Sequence, residues 1–219
     1  MTNQTIDLSK DLEVWSSFGV EYYDNQRNRI QDKSGYGRHG YIEGGATVGV
    51  EGYRGFGGIS FDDGGHNVRY DPGANVVEDA PFSAALWCKF DNDNNPREIF
   101  GSVDVTNSGW AIVAELGGTR IQIRIGGQGT EYVQEVKPGE WRFTGFSYDG
   151  DTMIVTSTQN QSSTDKFSGF TLHGSDLELA GVGRQFYGDA ALAAVWNRAL
   201  TAQELRFVRG LTAPRRSLL

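Results

Sequence analysis

The chain has 219 residues, among them 30 glycines, about twice the usual share, and 26 aromatic residues spread along its whole length. The aromatic residues exclude a disordered chain, and the lack of a three-residue glycine period excludes collagen. A net charge of −8 argues against a general binder of nucleic acid or of anionic membranes, and the single cysteine, Cys88, excludes an intrachain disulfide.

Short apolar or alternating segments recur at intervals of roughly ten residues, separated by Gly, Asn and Asp, which is typical of a β-sandwich. The segment RIQIRI alternates strictly, so one of its faces should enter the core. Turn signals suited to hairpins lie at 117–118, 126–127 and 149–150. We predict strands over residues 58–61, 67–70, 82–90, 98–103, 109–115, 120–125, 132–136, 141–148, 152–158, 178–182 and 190–196.

One short helix is predicted near the C-terminus. The segment Thr201-Ala-Gln-Glu204 is a capping box, in which the threonine and glutamate satisfy each other's backbone N–H groups at a helix start. Apolar residues follow at helical spacing, Gly210 ends the helix, and Pro214 prevents its continuation.

The remainder of the C-terminus is basic, whereas the rest of the chain is acidic. Residues 12–200 show no linker-like composition shift and no internal repeat, so we predict one domain over residues 1–208 and a basic arm over residues 209–219. The last 15 residues contain no acidic residue and four arginines: Arg206, Arg209, Arg215 and Arg216. Such a segment is suited to dock on an acidic partner, a neighbouring subunit or its own domain, and an ordinary frayed terminus is the alternative.

Five motifs occur in an order that resembles the laminin G-like, concanavalin A-like jelly-roll domains, particularly their pentraxin-like branch. They are QDKSGYGRHG at 31–40, GGISFD at 57–62, PFSAALWCK at 81–89, GEWRFTGFSYDG at 139–150, and the segment 186–204 with VWNRALTAQE. The resemblance implies an all-β fold, in which two antiparallel sheets form a jelly-roll β-sandwich with one short C-terminal helix. Residues 152–160 depart from the family pattern, so the turn that follows them should differ.

The sequence lacks the catalytic patterns that the resemblance makes worth seeking. Relatives that hydrolyse glycans use two carboxylates on one strand face, at spacings such as E-x-D-x-x-E, and no such triplet occurs here. No G-x-S-x-G motif is present, and no zinc-site spacing connects the three histidines, His39, His66 and His173. We predict a protein that is not an enzyme; a glycan hydrolase with an unrecognised site is the alternative.

The resemblance also implies a structural Ca²⁺ ion, which jelly rolls of this class often hold with loop carboxylates and backbone carbonyls. The oxygen-rich candidates are Asp62 with Asp63, and Asp91 with Asp93. The second pair does not begin an EF-hand, because proline occupies the position of the turn glycine. Ordinary polar loops are the alternative for both pairs.

Glycan binding needs exposed aromatic rings on which the C–H faces of sugars can stack. All five tryptophans fall on or near predicted strands, so the candidates are tyrosines in loops. Tyr53 and Arg54, between Gly52 and Gly58, form the leading ligand-facing pair, and Tyr187 is a further candidate. An ordinary exposed tyrosine is the alternative for each.

These observations predict a non-catalytic surface module for recognition or assembly. Its partner would be a glycan or a neighbouring protein subunit in an oligomer or particle, with no nucleic acid and no membrane insertion. The N-terminus shows no secretory signal and no segment is long and apolar enough to span a bilayer, so we expect synthesis in the cytoplasm and a place on a virion, as decoration or fibre, or on another extracellular surface. A purely structural particle component is a further alternative.

Overall fold

A computed structural model describes residues 6–62, 65–71, 81–91, 97–103, 109–115, 120–125, 128–129, 134–135, 137–159, 161–165, 176–181 and 186–211. Its strands are β1 (Leu12–Ser17), β2 (Tyr23–Asp24), β3 (Arg29–Ile30), β4 (Gly40–Glu43), β5 (Thr47–Glu51), β6 (Gly57–Phe61), β7 (Asn67–Tyr70), β8 (Phe82–Phe90), β9 (Arg97–Val103), β10 (Gly109–Glu115), β11 (Arg120–Ile125), β12 (Gln128–Gly129), β13 (Gln134–Glu135), β14 (Trp141–Tyr148), β15 (Thr152–Ser157), β16 (Gln161–Asp165), β17 (Glu178–Leu179) and β18 (Gly188–Trp196). Short 3-10 turns lie at Val20–Tyr22 and Tyr53–Gly55, and helix α1 spans Ala202–Gly210.

The strands form two antiparallel sheets. Sheet A has the order β16-β15-β14-β8-β18-β6-β5, with β1 also paired to β18. Sheet B has the order β12-β11-β10-β9-β17-β7-β4-β3-β2, with β13 also paired to β11. Many spatial neighbours are far apart in sequence, which distinguishes this arrangement from a simple meander. The prediction of an all-β, two-sheet jelly-roll sandwich with one short helix is confirmed.

The main core lies between the sheets and is rich in aromatic rings. Phe82 on β8 approaches Trp110 on β10, with ring centroids 5.7 Å apart, and thereby joins sheet A to sheet B. Trp110 in turn meets Phe100 and Phe146 at 5.4 Å each. Because side chains alternate along a strand, the same strands also direct residues to the outer faces of the sheets.

A second apolar layer covers the outer face of sheet A. Helix α1 packs Leu205 and Val208 against this face, and both side chains are fully buried. Gly145 on β14 leaves room for the helix, since a Cβ there would lie 3.2 Å from Leu205 Cδ2 and closer still to Phe143. Within the described ranges, no helix has both the length and the apolar character needed to cross a bilayer.

The helix begins as predicted. The Thr201 hydroxyl accepts a hydrogen bond from the Glu204 backbone N–H, and the Glu204 carboxylate accepts one from the Thr201 N–H. Glu204 also pairs with Arg198 at 2.7 Å, and Arg198 donates to the backbone carbonyls of Asp7 and Lys10. The capping box therefore belongs to a polar network that connects the helix start to the N-terminal segment.

The long strands match their predictions best. The bounds predicted for β7, β8, β10, β11 and β14 are confirmed, and those predicted for β6, β9, β15 and β18 differ by one or two residues. The predicted strand at 178–182 is only two residues long within the described part of the chain, and the one at 132–136 contains the described pair Gln134–Glu135. Sequence reasoning missed β1 to β5, β12 and β16.

Candidate functional site

The outer face of sheet A has two halves with different covers. Helix α1 covers one half, and the 3-10 turn Tyr53–Gly55 lies over the other. On that second half, aromatic and charged side chains from three strands and the turn come together. We name them the Tyr53 patch: Tyr53, Arg54, Trp87, Lys89, Trp141 and Asp189.

The register of the sheet explains why the strand residues of the patch share one face. Lys89 on β8 is paired with both Trp141 on β14 and Asp189 on β18. Directly paired residues of antiparallel strands point to the same side of a sheet. Trp87 lies two residues before Lys89 and therefore points the same way.

The turn places the Tyr53 ring on top of the buried Trp87. The two ring centroids are 3.6 Å apart, with 22° between the ring planes, so the rings are stacked. Trp141 lies beside this stack, with its centroid 6.3 Å from that of Tyr53 and its plane tilted by 51°. Tyr53 and Trp141 are both half-buried, so each residue is partly accessible to solvent.

The turn itself has an unusual backbone. Arg54 adopts the left-handed conformation with φ 51°, which costs a residue with a Cβ about 1–2 kcal/mol, and Gly55 follows at φ 86°. The Arg54 guanidinium lies 5.1 Å from the Tyr53 ring centroid, and its Nη1 donates a hydrogen bond to the carbonyl of Gly210 at 3.4 Å. Arg54 thus connects the turn to the last residue of α1.

Charged groups lie next to the Trp141 ring. The Lys89 ammonium lies 5.5 Å from the Trp141 ring centroid and 2.5 Å from a carboxylate oxygen of Asp189. Beneath the rings, the indole N–H of Trp87 is buried and has no hydrogen-bond partner among the described residues. The patch therefore offers ring faces, donors and an acceptor, which are the groups that bind polyhydroxylated ligands.

The structure gives Cys88 no role in chemistry. The thiol lies in the core between the sheets, and burial raises its pKa far above the usual range. A thiol that stays protonated is a poor nucleophile.

Several predicted site residues meet at one end of sheet A, next to the Lys89–Asp189 pair of the patch. Gly188 is paired with both Phe61 and Phe90, so the residues next to them, Tyr187, Asp62 and Asp91, lie at the same end. The Asp91 N–H donates to the Tyr187 carbonyl at 3.1 Å. Asp62 Oδ1 is 3.0 Å from Nδ1 of His66.

These residues form no metal centre by themselves. No group of three or more His, Cys, Asp or Glu side chains able to hold a metal ion occurs in the described part of the chain. Asp63 and Asp93 lie outside the described residues. Calcium binding by the four aspartates stays a prediction.

The predicted docking arginines have different surroundings. Arg209 lies in α1 and donates from Nη1 to the carbonyl of Ser157 at 2.8 Å, so it contacts its own domain. Arg206 is exposed on the same helix. Arg215 and Arg216 lie outside the described residues, and their role stays a prediction.

The first sequence motif builds a turn. Asp32 accepts hydrogen bonds from the N–H groups of Trp15, Ser34 and Arg38 and from the Ser34 hydroxyl, at 2.5 to 3.1 Å. The ring Nδ1 of His39 accepts a hydrogen bond from the Asp32 N–H at 3.1 Å. These residues hold β1 against the segment that follows β3.

Sequence reasoning found Tyr53 and Arg54 but missed their partners Trp87, Lys89, Trp141 and Asp189. All four lie on strands, where a tryptophan is ordinarily a core residue. One signal was available in the sequence: Trp141 is the first residue of its strand and follows a Pro-Gly turn at 138–139, where strand residues are often near solvent.

A family model for the concanavalin A-like lectin/glucanases superfamily matches residues 62–206. No curated protein matches the sequence. Among solved structures, the fold is similar to domain 4 of AbnA, a GH43 extracellular arabinanase from Geobacillus stearothermophilus, which was solved in complex with arabinotriose. The TM-score is 0.68 and the sequence identity 20%, and the match covers 90% of this chain and 98% of that domain.

Two toxin structures have the same fold. The receptor-binding domain of botulinum neurotoxin mosaic serotype C/D matches 92% of this chain with a TM-score of 0.69 and 13% identity. The binding domain of botulinum neurotoxin DC, in complex with rat synaptotagmin II, matches 92% of this chain with a TM-score of 0.67 and 12% identity. The chain spans about half of each, 51% and 52%. At such low identity the likeness concerns the fold alone.

Proposed function

Because the chain belongs to the concanavalin A-like lectin/glucanases superfamily, as its ordered motifs predicted, we propose that it is a non-catalytic recognition module that binds a glycan through the Tyr53 patch. The observation that supports this proposal most strongly is the pair of half-buried rings, Tyr53 and Trp141, side by side at 6.3 Å on an outer sheet face. Aromatic rings that are fixed and partly exposed have the form of sugar-stacking platforms.

The polar groups of the patch complement a sugar. Lys89 and Arg54 supply donors and Asp189 supplies an acceptor, all next to the rings. The similar arabinanase domain was solved with arabinotriose and a similar toxin domain with synaptotagmin, which supports a glycan or a protein as partner. We favour a glycan because sugars stack on aromatic ring faces and the patch holds two half-buried rings side by side.

The composition of the patch supports binding rather than hydrolysis. Glycosidases of the common type use two carboxyl groups, one as an acid and the other as a base or nucleophile. The patch contains one carboxylate, Asp189, and Lys89 neutralises it at 2.5 Å. A hydrolase whose second carboxylate lies elsewhere remains the alternative, and release of reducing sugar from the bound glycan would identify it.

The test is a glycan-array screen followed by calorimetry on wild type, Tyr53→Ala and Trp141→Ala. We expect each substitution to lower the affinity for the bound glycan about two- to twelvefold, because one stacking contact is worth about 0.5–1.5 kcal/mol and about 1.4 kcal/mol corresponds to a factor of ten. Tyr36→Ala is the matched control: Tyr36 is 60% exposed and has an arginine 5.6 Å from its ring, yet lies outside the patch. Unchanged glycan binding by both patch variants would contradict the proposal.

The module is further proposed to act on a virion or another extracellular surface, as one subunit of an oligomer or particle. The charge distribution supports this, since all acidic residues precede the C-terminal segment and would give Arg206, Arg215 and Arg216 acidic groups to meet on a neighbouring copy. Light scattering of wild type and of an Arg206→Ala, Arg215→Ala, Arg216→Ala variant tests it. A wild-type monomer at all concentrations would contradict subunit assembly without affecting the glycan proposal.

The predicted Ca²⁺ ion has a direct test. If Asp62, Asp63, Asp91 and Asp93 hold a structural calcium, the thermal midpoint should rise with added Ca²⁺ and fall with EDTA, because an ion bound only by the native state stabilises it. An identical midpoint in both solutions would remove calcium from the description of this protein.

A further inference from the structure

The angle between the two half-buried rings of the patch follows from the contacts that hold them. Tyr53 stacks on Trp87, a side chain only 2% exposed, and the backbone of Trp141 is held by the pairing of β14 with β8. The Tyr53 ring cannot become parallel to the Trp141 ring without losing its stack on Trp87, and a rotation of the Trp141 ring would change its contacts with Tyr53 and Lys89. The 51° tilt is therefore a built-in property of the surface.

This tilt restricts which glycan can use both rings. A sugar stacks with the C–H face of its ring parallel to the aromatic plane. Two successive sugars that each lie on one of the rings must then have mean planes that differ by about the same 51°. The centroid separation of 6.3 Å is close to the length of one sugar residue, so adjacent residues of one chain can reach the two platforms.

Glycan chains divide into two classes by this criterion. In flat, ribbon-like chains, such as β-1,4-linked glucose, successive rings face along nearly the same plane, and only one ring of the patch could be used. In chains that turn at each linkage, such as α-1,4-linked glucose or α-1,5-linked arabinofuranose, successive rings are tilted, and both platforms could be used.

The charges favour an uncharged sugar. The charged group next to Trp141 is Lys89, which is already engaged by Asp189 at 2.5 Å, so the carboxylate of a uronic or sialic acid on that ring would have to compete with Asp189 for it. A sugar on either ring takes the place of the cation above it. The displaced Lys89 or Arg54 stays within reach to donate hydrogen bonds to the hydroxyl groups.

Resting on the proposed function, we infer that the Tyr53 patch selects neutral glycan chains that turn between successive sugars and discriminates against flat chains. Both rings contribute in the first case and one in the second. Loss of one stacking contact corresponds to about a two- to twelvefold difference in affinity.

Calorimetry with maltotetraose, linear arabinotriose, cellotetraose and a uronic acid trimer tests this. We expect at least one turning, neutral chain to bind about two- to twelvefold more tightly than cellotetraose, and its advantage to disappear in both Tyr53→Ala and Trp141→Ala. Tyr36→Ala should keep the full preference.

The outcomes separate the inference from the proposed function. Binding of cellotetraose or the uronic acid trimer as tightly as the turning chains, with loss in Tyr53→Ala, would overturn the inferred selectivity and leave glycan binding intact. Binding of glucose or arabinose monomer as tightly as the chains would also overturn it, because one sugar cannot use two platforms. Glycan affinity that is unchanged in both Tyr53→Ala and Trp141→Ala would overturn the proposed site itself.

Discussion

The two halves of the outer face of sheet A show how one apolar surface can be covered for two purposes. The helix half is closed by Leu205 and Val208, both fully buried, and by a capping box that connects to Arg198. The turn half is closed by one stacked tyrosine and one 3.4 Å hydrogen bond from Arg54. The first cover stabilises the domain, whereas the second leaves ring faces and charges at the surface.

The largest expected effect is on the helix half. Leu205→Ala should lower the free energy of unfolding by about 2–5 kcal/mol, because it leaves a cavity under α1. Tyr53→Ala removes a half-buried ring and should lower it by about 1–2 kcal/mol. Chemical denaturation of both variants measures the difference, with Phe207→Ala as a control on the exposed side of the helix.

The contrast between the two halves of the sheet face would be contradicted if Tyr53→Ala lowered the free energy of unfolding as much as Leu205→Ala. In that case the turn would be a structural cover like the helix, and the affinity loss in Tyr53→Ala would report unfolding rather than lost stacking.

An intermediate effect is expected at the helix start. Burial raises the pKa of Glu204, but hydrogen bonds from Arg198 and Thr201 outweigh it, so the net pKa is lowered. A carboxylate with a lowered native pKa stabilises the fold above its unfolded pKa, near 4.5, and loses this contribution as the pH falls through the native value.

Glu204→Gln should therefore be less stable than wild type at pH 7 by up to about 1 kcal/mol, because glutamine can keep the capping box but loses the charge that pairs with Arg198 at the helix N-terminus. The difference should shrink as the pH falls below about 4. Denaturation of both proteins from pH 7 to pH 3 measures it, and a difference that does not depend on pH would contradict the role of the charge.

The smallest effect is expected in the turn backbone. Arg54 occupies the left-handed region at φ 51°, where glycine is unstrained. Arg54→Gly should therefore be more stable than Arg54→Ala by about 1 kcal/mol, although both lose the contacts with Tyr53 and Gly210. Equal stability of the two variants would show that the turn changes its conformation once the arginine is removed.

The strands with a regular pattern were predictable from local sequence. β10, β11 and β14 alternate or run apolar between glycine turns, and their bounds follow from that pattern alone. β5 was not predictable, because Gly49 at φ 83° interrupts it and its pairing with β6 contains a bulge. β4 is short and includes a glycine and a glutamate.

The site was predictable only in its loop part. Gly52 and Gly58 around Tyr53-Arg54 indicated a loop with a ligand-facing pair; the structure has a 3-10 turn there, with Arg54 exposed and the half-buried Tyr53 ring stacked on Trp87. Trp141 and Lys89 depend on the register of β14 with β8 and on how far α1 extends over the sheet. Both are long-range properties that no local pattern contains, and the Pro-Gly turn before Trp141 indicated only that this residue lies near solvent.

The hydrogen bond from Arg54 to Gly210 connects ligand binding at the Tyr53 patch to the C-terminal end of α1. A ligand that displaces Arg54 from the Tyr53 ring also withdraws a donor from the last carbonyl of α1. The neighbouring Leu211 N–H, bonded to Val208 at 3.1 Å, closes the same helix end. Amide exchange at Leu211 would then register an event on the other half of the sheet face, without any label at the site.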